Sequence, residues 1–299
     1  MKKNAFGTRI YEIKNIFKDE KVMKTLGFLF REWLAHLEVS YTKRQKIIDS
    51  TLKSIQNFST KTGLIEDSLK GLYSKNGVLD KIREKLNGRA EAIYNLIEPF
   101  LGNCILDYGC GPAEIAQYVH NKKGVPVALT DIIDHCKRKE MAPLLPFDLK
   151  KPGEKLSYKD KTFDTALLIT VLHHSDNPVS ELEEVIRLTK GNIIIIESVY
   201  DISKNEKIMC ASECAKLQTR FHSLNAKQQR MYGTFIDWFL NKMIIGNEAN
   251  CPYNFNSPQG WEKIFKEREL EIIEKKILGI DQPVTPEYHI LYVIRRKND

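Results

Sequence analysis

No apolar run in the 299 residues reaches the roughly eighteen needed to cross a bilayer, and Met1-Lys2-Lys3 is not followed by the apolar core of a secretory leader. A cytoplasmic protein without a membrane span is the expectation. Cysteine is scarce: Cys104, Cys110, Cys136, Cys210, Cys214 and Cys251 show no Cys-x-x-Cys spacing, which speaks against a zinc ribbon and for reduced thiols. The histidines form no His-x3-His pair, and the adjacent His173 and His174 point in different directions on most backbones, so no metal site is expected. Repeats and low-complexity tracts are absent. A net charge of +7 comes without a dense basic block; residues 41–46, 135–139 and 295–297 approach one, while acids interleave the lysines elsewhere, as in 263–269. That speaks against a nucleic-acid partner.

What is present is a soluble, globular composition, 42% hydrophobic and 28% charged, and one informative run. Residues 104–112, Cys-Ile-Leu-Asp-Tyr-Gly-Cys-Gly-Pro, read as a buried strand entering a tight turn, followed by a helical pattern over 113–121. Asp131 closes a second apolar run, where an acid accepts ribose hydroxyl hydrogens. Such a turn reads as a nucleoside-cofactor site, and charge selects the cofactor. A dinucleotide fingerprint needs a third glycine where Glu114 stands, and Asp107 would face the pyrophosphate with like charge. S-adenosylmethionine carries a sulfonium and an ammonium and no phosphate, so the same acid attracts it.

In these residues the chain resembles the class I S-adenosylmethionine-dependent methyltransferases, of the branch that includes the ubiquinone and menaquinone C-methyltransferases and many small-molecule methyltransferases. The likeness runs over about 89–200, through blocks at 105–112, 129–132, 145–148 with 156–164, and 168–178. It implies that Gly109 and Gly111 hold the methionine part, Asp131 the ribose and Asp148 the adenine amine, with Asp107, Cys110, Ile132, Leu149, Thr170 and His173 as further cofactor contacts. Leu156-Ser157-Tyr158 stands where the family often has Leu-Pro-Phe, a departure expected to touch packing more than chemistry. No Asn-Pro-Pro-Tyr block follows the fourth strand, which lowers the reading as a tRNA or protein methyltransferase. The intact glycine turn and Asp131 argue against a nonenzymatic cofactor-binding partner subunit.

The fold expected is α/β: a Rossmann-like, seven-stranded, mostly parallel sheet with an antiparallel last strand, a helical extension over 1–88 and a helical insertion over 202–257 between strands five and six. The extension is expected to lid the substrate, to make homodimer contacts or only to stabilise. The third strand is expected over 144–147. The topology brings His173-His174, Tyr200-Asp201, Asp281 and Glu287-Tyr288-His289 to one rim, where polar and titratable groups serve catalysis. His289 and His174 are candidate bases, with Asp201 beside them, for an acceptor proton that must leave. The aromatic insertion suits a small-molecule acceptor, with Tyr232, Asp237 and Asn254 as polar anchors alongside Tyr200, Asp281 and Glu287. Phe235, Trp238, Phe239 and Met243, at helical spacing, read better as core.

Overall fold

Every residue of strand β1 (Ile105–Tyr108) is buried, as an apolar run flanked on both sides by parallel neighbours requires. It pairs with β2 (Val127–Asp131) on one side and β4 (Phe163–Ile169) on the other, with Ile105 opposite Val127 and Thr165. In this computed structural model, residues 13, 15–56, 62–86, 88–142, 145–151, 153–202, 208–209, 212–245, 251–282 and 284–297 are described. Strands β3 (Phe147–Leu149), β5 (Thr189–Ser198), β6 (Leu270–Gly279) and β7 (His289–Arg296) complete a seven-stranded sheet in the order β3-β2-β1-β4-β5-β7-β6. The last strands run antiparallel and the others parallel, the architecture expected.

The third strand departs from its expected place. Leu144 lies outside the described residues, and the strand begins after Pro146. Proline has no N–H to give a ladder, so only its carbonyl joins, accepting from Leu129 N at 2.8 Å. Pairing then runs Leu129 to Phe147 and Asp131 to Leu149, which carries Asp148 to the strand's carboxyl end.

The chain divides into two units. A sheet unit comprises Asn87–Ser198, Asn256–Ile277 and Ile290–Asp299, and a helical unit Met1–Leu86, Val199–Phe255 and Leu278–His289. The expected extension and insertion are thus parts of one helical body. In it α1 (Glu20–His36) is capped by Asp19, whose carboxylate accepts from Lys21 N and Val22 N at 3.0 Å. Asp19 also accepts from Gln228, which belongs to the capping box that starts the helix Ala226–Trp238. Phe239 is the hub of the core. Its ring meets Phe30 at 5.1 Å, Tyr73 at 5.5 Å, Phe235 at 5.7 Å and Trp33 at 5.9 Å. Trp33 donates its indole N–H to Val284 O at 2.9 Å. Each fully buried ring contributes about 2 kcal/mol by area alone. Phe235, Trp238 and Phe239 are core, as the spacing suggested; the side chain of Met243 lies outside the described residues. Among the described residues, no helix is long and apolar enough to cross a membrane.

Candidate active site

In the sheet unit, the turn after β1 folds onto the end of β2. Gly109 N and Cys110 N both donate to Thr130 O, at 2.8 and 3.0 Å. Gly109 has φ +78°, and a Cβ there would lie 2.6 Å from Val171 Cγ1, so both its backbone angle and its neighbour demand glycine. Gly111, at φ +52°, donates its N–H to Asp131 Oδ2 at 2.8 Å, and Ile133 N donates to Asp131 Oδ1 at 3.0 Å. The acid expected at the ribose therefore also clamps the glycine turn, a task the sequence did not disclose.

Asp107 is buried directly beneath. Loss of hydration, and then the charge of Asp131, push its carboxyl up to about 7, against a pull from Arg89. Burial likewise raises the Cys110 thiol, so it stays protonated; its Sγ–H donates to Gly111 O at 3.7 Å. Ile132 and Leu149 are exposed apolar side chains at the carboxyl ends of β2 and β3, where a nucleoside would find cover.

Asp148 is held by a residue whose chemistry was missed. Tyr158, the departure expected to touch packing, donates its hydroxyl to Asp148 Oδ2. Burial, and then that carboxylate, push the phenol up to about 12. Thr130 Oγ1 donates to Asp148 O at 2.9 Å, so both ends of the residue are fixed.

After β4 the chain turns through Thr170, at φ +57°, and a short 3-10 turn Leu172–His174. His173 is buried with Nδ1 at 2.6 Å from Glu197 Oε2, and its ring lies 4.1 Å from that of His174. It does not cap the next helix, Pro178–Leu188; Asn177 does, accepting from Ser180 N at 3.2 Å.

In the helical unit a second cluster forms. Val199 N donates to Tyr288 O at 2.9 Å, which sets the segment leaving β5 beside the entry to β7. His289 is buried there with Nδ1 at 2.8 Å from Asp281 Oδ1 and Nε2 at 3.2 Å from Glu287 Oε2. Burial pulls the imidazolium down, but Asp281 first and Glu287 second outweigh it and hold His289 at about 9. The two carboxylates favour the imidazolium, whose ring N–H groups both donate to them. Asp201, exposed at φ +61° and next to the half-buried Tyr200, donates its N–H to Gln229 Oε1 at 2.8 Å. Tyr232 donates its hydroxyl to Pro286 O at 2.9 Å, and the buried Asp237 accepts from Asn241 at 2.6 Å. Both lie on the helix Ala226–Trp238, whose rings fill that core. Asn254 is half-buried.

A family model described as a methyltransferase domain matches residues 82–275. Similar curated proteins include the mitochondrial arginine hydroxylase NDUFAF5 of Mus musculus, 22% identical over 141 residues, which are 46% of this chain and 40% of that protein. An uncharacterized protein of Methanocaldococcus jannaschii is 26% identical over 181 residues, 58% of this chain and 63% of its own length. The chain thus spans less than two thirds of either relative. Among solved structures, the Burkholderia thailandensis 1,6-didemethyltoxoflavin-N1-methyltransferase, with 1,6-didemethyltoxoflavin and S-adenosylhomocysteine bound, aligns with a TM-score of 0.47. It is 14% identical, with 79% of this chain and 88% of that one covered.

Proposed function

The chain belongs to the family described as a methyltransferase domain, and on that premise we propose that it is a class I S-adenosylmethionine-dependent enzyme that methylates a small or amphipathic organic molecule. The observation that carries the donor reading is the charge at the glycine turn. Asp107 is buried beneath it with its carboxyl poised at about 7, and Asp131 and Glu114 stand where a pyrophosphate would need neutral or basic groups. A cationic ligand relieves that arrangement, and a phosphorylated one worsens it.

When bound, S-adenosylmethionine supplies a methyl group on a positively charged sulfur, and in-line transfer neutralises that charge. The residues of this chain then have alignment and exclusion of water as their main tasks. Gly109 and Gly111 let the backbone approach the methionine part, and Asp107 ionises against its ammonium. Asp131 receives the ribose hydroxyls while capping Gly111, and Asp148, oriented by Tyr158, faces the adenine amine. Cys110, Ile132, Leu149, Thr170 and His173 are the further cofactor contacts proposed.

On the acceptor side, His289 acts as a fixed imidazolium that orders Asp281 and Glu287. It takes no proton at neutral pH because both nitrogens already donate. Where the acceptor must lose a proton, His174 and Asp201 are the groups proposed to receive it, and Tyr200 and Asn254 are the proposed acceptor contacts.

Isothermal calorimetry tests the donor reading. S-adenosylhomocysteine is expected to bind and NADH to give no heat, and Asp131→Ala is expected to weaken the former at least tenfold, since it removes charge-assisted hydrogen bonds. NADH binding with no response to S-adenosylhomocysteine overturns the assignment.

A further inference from the structure

Glu197, near the end of β5, is fully buried among the isoleucines 193–196. A carboxylate withdrawn from water in this way costs several kcal/mol unless its oxygens are satisfied. A leucine would serve the sheet equally well, so the reason for the charge lies in what it holds. Its Oε1 accepts from Val171 N at 2.9 Å and Leu172 N at 2.6 Å, and its Oε2 lies 2.6 Å from His173 Nδ1. Three consecutive residues after β4 are tied to one side chain.

That tether bears on the turn across the strand. Thr170 is β-branched yet sits at φ +57°, a conformation that persists only when its surroundings impose it. Its N–H donates to Ile196 O at 2.7 Å, and the next two amides go to Glu197. The result sets the side chain of Val171 against Gly109, in the space a Cβ would need. The same carboxylate fixes His173 as an Nδ1–H donor, which leaves Nε2 as the lone-pair nitrogen of the neutral ring. One buried acid thereby sets the floor under the glycine turn and the tautomer of the adjacent imidazole.

We propose that Glu197 is a positioning residue for methyl-donor binding, acting through Val171 on the Gly109 turn and through Nδ1 on His173. This rests on the glycine turn being the donor site. Glu197→Gln keeps the shape, but its amide nitrogen must face either a backbone N–H or His173 Nδ1. In the full chain, the variant is expected to bind S-adenosylhomocysteine roughly ten- to hundredfold more weakly in calorimetry, as misplacement of a binding surface costs. It is also expected to raise the KM for S-adenosylmethionine more than it lowers kcat. Nitrogen-15 NMR is expected to show His173 passing from the Nδ1–H to the Nε2–H tautomer, a change that mere loosening of the sheet would not produce. Val171→Ala leaves the carboxylate intact and is expected to weaken donor binding with His173 unchanged, which keeps the idea testable should Glu197→Gln fail to fold. Wild-type donor affinity in both variants overturns the positioning role alone. Wild-type protein that binds no S-adenosylhomocysteine overturns the donor reading, and the proposal with it.

Discussion

Replacing Asp107 by asparagine isolates the charge on which the proposed donor site turns. Its carboxyl moves from 3.8 to about 7 on folding, because burial and the neighbouring Asp131 disfavour the anion. Three pH units correspond to about 4 kcal/mol. The sign follows from the raised folded value: the native state holds the proton longer than the unfolded chain. Asp107 therefore costs nothing below about pH 4, costs progressively more through the window from 4 to 7, and costs the full amount above it. Urea unfolding of the wild type and Asp107→Asn across pH 4.5 to 8.5 is expected to show the variant gaining on the wild type by about 4 kcal/mol as pH rises. Ligand binding gives the converse measurement. At pH 7 about half of the molecules carry the proton, and a cationic methionine end would expel it, so S-adenosylhomocysteine should release about half a proton per site. Calorimetry in phosphate and in Tris, whose ionisation heats differ, reads that release directly. Identical heats in the two buffers at pH 7, together with a stability difference that does not change with pH, would falsify the role given to Asp107.

Tyr158→Phe removes the hydroxyl that orients Asp148 and is expected to weaken S-adenosylhomocysteine binding about ten- to hundredfold, the worth of one hydrogen bond to a charged group, in calorimetry. His289 is raised on folding from 6.5 to about 9, so its stabilisation is complete below pH 6.5 and is lost as pH climbs through 9; about 3 kcal/mol is at stake. Asp281→Asn should flatten that alkaline loss in thermal unfolding at pH 6 and pH 10. Phe239→Ala empties the hub of the helical core and is expected to cost about 3 to 5 kcal/mol in urea unfolding, with donor affinity per folded molecule unchanged.

Local signals made the sheet legible. The apolar runs before Tyr108, Asp131 and Ile169 each carry a strand, and the glycine pair with an acid beyond it marks one turn by spacing alone. What stayed hidden depends on partners distant in sequence. Tyr158 looked like a packing substitution because nothing near it announces Asp148, which meets it only once β3 is in register with β2. Glu197 reads as the polar end of an apolar strand until three donors from the loop after β4 converge on it. The aromatic stripe over 235–239 was readable as a buried helix face, but not which body it fills, because its partners Phe30, Trp33 and Tyr73 lie some two hundred residues earlier. His289 showed its type and not its charge state, which is set by the separate approach of Asp281 and Glu287.

Because the helical unit is assembled from three stretches of chain, it cannot be completed on the ribosome in order of synthesis. Trp33 waits for the carbonyl of Val284, and Phe30 for Phe235 and Phe239. At roughly 5 to 20 residues per second, the first helices spend about 10 to 50 seconds without the partners that cover their apolar faces. The apolar faces of those helices thus stay uncovered while the sheet begins to form behind them. Expressing residues 87–299 alone would leave Phe235 and Phe239 without that cover, so such a fragment is expected to aggregate more readily than the whole chain.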